Sequence, residues 1–146
     1  MTIRLSTGLR NALAFEYGLA RMMRGGHIQI YGGADQPISA DEAPTGTLRA
    51  IVSTDGLPVP STAGGLQFTL QSPGTLLDTG DWKIVGLSTG DLRWWRFVWA
   101  ADDFGEISTY YPRIDGAASD GLTKLPSTIV ASEIIPISFR LLIPSQ

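Results

Sequence analysis

Leu92-Arg93-Trp94-Trp95-Arg96-Phe97-Val98-Trp99 is the stretch that decides how the chain folds. A strand sends successive side chains to opposite faces, so Trp95, Phe97 and Trp99 share one face with Arg93, while Leu92, Trp94, Arg96 and Val98 share the other. The first face has to lie against a core. The second carries Trp94 beside Arg96, and two readings of that pair stand together. It is either a rigid aromatic and a planar cation presented to a protein partner, or a cover over a second small cluster.

Outward from this strand the texture repeats: short β-favouring runs separated by Gly, Pro, Asp and Ser. Strands are predicted at 27–32, 47–54, 66–71, 82–87, 92–100, 106–111, 121–124 and 134–143. The turns between them include Gly32-Gly33, Asp55-Gly56, Pro73-Gly74, Gly80-Asp81, Thr89-Gly90-Asp91 and Asp115-Gly116. Residues 33–46 hold three acids, two prolines and no strand pattern, and read as an exposed connection crossing one end of the sheets. The expected fold class is all-β, an antiparallel β-sandwich of jelly-roll or immunoglobulin-like type with one N-terminal α-helix.

That helix is predicted over residues 6–24, with Leu9, Ala12, Leu13, Ala20 and Met23 near one stripe and Phe15, Leu19 and Met22 widening it. Ser6 or Thr7 caps its start and Gly25-Gly26 stops it. Gly8 and Gly18 each cost about 1 kcal/mol relative to alanine, so packing and not propensity has to hold it. The chain is read as a single domain over 1–146, a helical arm at 1–26 followed by a β-sandwich at 27–146. The apolar stripe packs either on the chain's own sheets or in a groove of another protein. The contact residues expected on the second reading are Arg10, Arg21, Met22 and Arg24 on the helix, with Trp94 and Arg96 on the strand.

Composition narrows the chemistry. Of 146 residues 43% are hydrophobic and only 17% charged, so much of the exterior is weakly polar. The longest apolar runs fall short of the ~18–20 residues a membrane span needs. The first residues lack the apolar stretch and cleavage site of a signal peptide, which predicts a product that stays in the cytoplasm. Arg4, Arg10, Arg21 and Arg24 against Glu16 leave residues 1–24 at +3, and the other seven basic and thirteen acidic residues leave the remainder at −6. A pI near 5.0 speaks against a nucleic-acid partner.

With no Cys and a single His, His27, thiolate chemistry and Cys-based zinc sites are excluded, and no G-x-S-x-G elbow or H-E-x-x-H helix is present. His27 reads as a polar side chain near the helix C-terminus. Asp41-Glu42, Asp102-Asp103 and the Asp78, Asp81 pair read as solvated turns, and Asp103-Phe104-Gly105 is a turn without the rest of a kinase. No enzyme activity, cofactor, metal or membrane contact is expected. An alternative is a carbohydrate-binding or carbohydrate-cleaving receptor module stacking sugars on Trp94, Trp99, Tyr110 or Tyr111, beside nearby acids.

Ile3-Arg4-Leu5-Ser6-Thr7-Gly8-Leu9-Arg10-Asn11-Ala12-Leu13, Gly26-His27-Ile28-Gln29-Ile30-Tyr31-Gly32-Gly33 and the run from Gln36 to Leu48 resemble blocks of a family of small tailed-bacteriophage virion proteins. The likeness continues through Trp95-Arg96-Phe97, Arg113-Ile114-Asp115-Gly116, Leu125-Pro126-Ser127-Thr128-Ile129-Val130-Ala131 and the run from Ile137 to Pro144, while residues 55–92 are less distinctive. The resemblance implies a structural component of the virion, assembled in the host cytoplasm, with no active site to carry over. The weakly charged exterior and helical arm favour a capsid decoration or cement protein on the head. Its partners are then the major capsid protein or other virion proteins, in a homo-oligomer or symmetric array. A place in the neck, tail or baseplate is the alternative.

Overall fold

The computed structural model describes residues 3–15, 18–54, 65–72, 75–79, 82–100, 106–118, 120, 122–123 and 125–142. In chain order these form β1 (Arg4–Leu5), α1 (Thr7–Phe15), α2 (Leu19–Met23), β2 (His27–Gly32), β3 (Thr47–Thr54), β4 (Phe68–Ser72), β5 (Thr75–Asp78) and β6 (Trp82–Gly86). There follow β7 (Gly90–Asp91), β8 (Trp94–Val98), β9 (Arg113–Ala117), β10 (Leu122–Thr123), β11 (Thr128–Ile129), β12 (Ile134–Pro136) and β13 (Ser138–Leu142). The protein is mostly antiparallel β-sheet with two short helices. A seven-stranded sheet runs β1-β9-β8-β2-β3-β6-β12, a four-stranded sheet runs β10-β13-β5-β4, and β11 pairs with β7.

The alternation of the Trp-rich stretch places the core. Trp95 and Phe97 of β8 and Trp82 of β6, all in the seven-stranded sheet, meet Phe68 of β4 and Phe139 of β13 in the four-stranded one. Phe139 lies 5.1 Å from Trp82, 5.9 Å from Trp95 and 6.0 Å from Phe97, and Phe68 stacks on Phe97 at 5.4 Å between ring centres. Ile28, Ile30, Val52, Ile84 and Ile114 complete this buried cluster from neighbouring strands of the larger sheet. Offset and edge-on ring pairs of this kind add ~0.5–1.5 kcal/mol each beyond the area they bury. Trp99 and Arg93, which share the parity, are less buried because β8 spans only Trp94–Val98.

Three expectations change. The helix of 6–24 is two segments, α1 and α2, and Gly18 stands just before the second, its carbonyl accepting from the N–H groups of Arg21 and Met22 at 3.0 and 3.1 Å. Leu9 of α1 and Met23 of α2 both enter the core, so the arm packs on its own domain. Gly25, at φ 79°, ends α2 as expected from its freedom to adopt the left-handed conformation. Second, 106–111 is not a strand, and the strand lies at β9, across the Asp115-Gly116 pair that reads as a turn. Asp115 sits in mid-strand because Arg96 of β8, directly opposite in register, neutralises it. Third, the connection 33–46 does not merely cross an end. Pro37 and Ala40 are buried, and the segment is a strap laid over the seven-stranded sheet.

The turns at Asp55-Gly56, Pro73-Gly74 and Gly80-Asp81, the Asp102-Asp103 pair and Asp103-Phe104-Gly105 lie outside the described residues, as do the side chains of Ala12, Phe15, Leu19 and Ala20.

Phe139 joins the two larger sheets more directly than any strand pairing does. Phe139→Ala is expected to lower the unfolding free energy by about 3–5 kcal/mol, measured by urea denaturation; a loss below about 1 kcal/mol would show that the aromatic cluster does not carry the core.

Candidate functional site

The face of β8 that carries Trp94 and Arg96 is closed, which corrects their expected role as exposed contacts. Each is only 1% exposed. Trp94 stacks on Tyr31 of β2 with ring centres 4.6 Å apart, and its indole N–H donates to the carbonyl of Thr45 at 3.2 Å. Arg96 grips Asp115 with two parallel bonds, Nε to Oδ1 at 2.7 Å and Nη2 to Oδ2 at 2.8 Å, while Nη1 donates to the carbonyl of Glu42 at 2.8 Å. The strap therefore supplies main-chain oxygens to both side chains, and Arg4 adds a third such bond to the carbonyl of Pro37. Burial pushes the Asp115 carboxyl up, opposed by the hydrogen bonds and charge of Arg96 and by the charges of Arg113 and Arg4.

Solvent-facing features gather instead where the arm meets the segment after β8. A groove of about 320 Å³ is lined by Gly8, Asn11 and Met22 from the arm and by Trp99, Thr109, Tyr110 and Pro112. Ser6 and Asp41 set its walls. The Ser6 hydroxyl accepts from the N–H groups of Leu9 at 3.1 Å and Arg113 at 2.8 Å and donates to the carbonyl of Tyr111 at 2.8 Å, so it caps α1 and ties it to the 108–112 loop in one step. The Asp41 carboxylate accepts from the N–H of Thr7 at 2.7 Å and from its hydroxyl at 2.6 Å, and the Asp41 carbonyl accepts from the N–H of Ser108 at 2.8 Å. Ser108 Oγ in turn accepts from the N–H groups of Tyr110 and Tyr111. Gly8 is required here: a Cβ at this position would come within 2.1 Å of the Tyr110 carbonyl oxygen. The groove is thus fixed before anything enters it.

Of the residues singled out from sequence, Met22 lines the groove, and Arg10, Arg21 and Arg24 stand exposed on the arm. Arg10 donates to the Thr7 hydroxyl at 3.0 Å. Trp94 and Arg96 do not line the groove and lie inside the strap-covered face. Asp41 was missed, since an acid in a Pro-rich connection reads as solvated; the available signal was an α1 with no acidic residue in its first turn. His27 is buried as the first residue of β2, 3.5 Å from the amide nitrogen of Gln29, and not displayed at a helix end. Among the described residues no group of three or more His, Cys, Asp or Glu is placed to hold a metal ion, and no helix is long and apolar enough to cross a membrane.

Two outcomes follow for the buried pair. Arg96→Met, which strands Asp115 and releases the strap, is expected to cost about 3–5 kcal/mol by urea denaturation. A carboxyl that holds its proton more tightly folded than unfolded contributes stability below its unfolded pKa and loses that contribution as pH rises through the folded one. The wild-type chain should therefore lose stability relative to Asp115→Asn as pH is raised above about 4; unfolding midpoints at stepped pH measure this, and a wild-type advantage that grows with pH would contradict it.

Comparison with protein-family models, with curated proteins and with solved structures returns no match, so the functional reading rests on this geometry and on the motif order of the chain.

Proposed function

We propose that the chain is a non-enzymatic structural protein of a tailed-bacteriophage particle, a decoration or cement protein that bridges and stabilises major capsid subunits from outside. On this reading the two larger sheets form a β-sandwich of the jelly-roll or immunoglobulin-like kind, and copies repeat as a homo-oligomer or symmetric array. The observation that carries it is the apolar side chains held outward on well-hydrogen-bonded backbone. Val130 and Ile134 are both more than half exposed, and Leu87 nearly so. They stand on segments locked together by bonds from Gly86 N–H to Glu133 O at 2.8 Å and from Ser132 N–H to Gly86 O at 2.9 Å. Single apolar residues on a surface need no explanation, but several on adjoining rigid segments supply contact area at little ordering cost.

The arm adds charge to shape. Arg10, Arg21 and Arg24 are exposed on the electropositive end of an otherwise acidic molecule and would steer that end onto carboxylates of a neighbouring subunit. On a shell with many copies, modest contacts add through multivalency. The resemblance of its sequence blocks to small virion proteins supports the same reading.

Purified protein added to capsids lacking it is expected to bind at micromolar concentration and to raise their rupture temperature, and Arg24→Glu should weaken that binding. Absence of binding at that concentration would overturn the proposal, and electron microscopy of labelled particles showing the chain at the neck, tail or baseplate would move it off the head.

A further inference from the structure

We propose that a second copy of this chain occupies the arm groove, inserting Ile38 of its strap between Met22, Trp99 and Tyr110. Ile38 is 84% exposed, the highest value among the large apolar residues described, and so does not fill the groove of its own chain. It is nevertheless not on a loose loop. Pro37 before it is buried and its carbonyl receives Arg4, Asp41 after it caps α1, and the carbonyls of Glu42 and Thr45 receive Arg96 and Trp94. An isoleucine on so many fixed points is a preformed knob. The groove is a preformed hole, with Tyr110 74% exposed at its rim.

Charge fits the same pairing. The knob stands in a strap that carries Asp35, Asp41 and Glu42 and no basic residue, and the hole stands in an arm whose Arg10, Arg21 and Arg24 are exposed, Arg4 being turned to the strap. Glu42 is exposed on the strap, as Arg10 and Arg24 are on the arm, while Asp35, also exposed, is paired with Arg93 of its own chain at 3.2 Å. A convex apolar residue with the exposed Glu42 carboxylate on its segment and a concave apolar site on an arm with exposed guanidinium groups are complementary in shape, polarity and sign. The inference deepens the reading of a repeated shell component and rests on it only for the repetition of copies.

Because the chain has no cysteine, engineered thiols report the contact without background. Ile38→Cys on one population and Met22→Cys on another should form mixed disulfide dimers under mild oxidation, well ahead of Ile38→Cys mixed with Leu87→Cys, and added salt should slow them. Sedimentation equilibrium should show self-association that Ile38→Glu weakens at least tenfold while leaving the urea midpoint unchanged, since Ile38 contributes nothing to the core. A 38–22 pair that joins no faster than 38–87, a chain that stays monomeric at ~1 mM, where even weak contacts populate, or a monomer whose groove takes up a soluble glycan would overturn the proposal. Capsid binding is scored separately: a chain that binds capsids without self-associating sinks this inference alone, and one that self-associates without binding capsids sinks the cement reading alone.

Discussion

The constraint on which the structure depends is the ion pair of Arg96 and Asp115, sealed between a sheet and a strap. Taking two charges out of water costs several kcal/mol per ion unless geometry and further hydrogen bonds compensate. Here the compensation is nearly complete: two parallel bonds at 2.7 and 2.8 Å between the side chains and a third from Arg96 to the Glu42 carbonyl. Meeting that demand fixes several things together. It sets β9 against β8 in one register, since a slip by one residue would turn Asp115 toward the aromatic core. It also gives β8 two buried faces, apolar and aromatic toward the four-stranded sheet, polar and paired toward the strap.

The same demand explains what could be read from the amino acids and what could not. β2 and β3 occupy 27–32 and 47–54, the bounds that their glycine borders and β-branched runs predict. The parity of Trp95 and Phe97 identifies the core face without any knowledge of the partner sheet. β9 is hidden, because Asp-Gly in a polar context is a turn signal and becomes strand only when an arginine from elsewhere in the chain stands opposite. Trp94 and Arg96 left two readings open, an exposed contact or an internal cover, for a related reason. A pair suited to a protein interface is chemically the same pair that suits an internal one, and local sequence does not say which chain provides the cover. Met22 was legible as an adaptable side chain on a helix face, whereas the groove beside it depends on the distant Asp41 and on the absence of a side chain at Gly8.

The arm belongs to the domain and is not an appendage. Leu9 and Met23 sit in the main cluster, β1 extends the seven-stranded sheet, and Ser6 joins α1 to the chain more than a hundred residues later. The exposed arginines then ride on a rigid mount.

The strap is gripped chiefly by its carbonyl oxygens. Arg4, Trp94 and Arg96 reach the main chain of Pro37, Thr45 and Glu42, and every residue type offers that same oxygen. Beyond Asp35, which pairs with Arg93, and Asp41, which caps α1, the path of the strap is held largely by its main chain. This ridge can drift in sequence while its path stays put, so homologous chains would diverge there first in antigenicity.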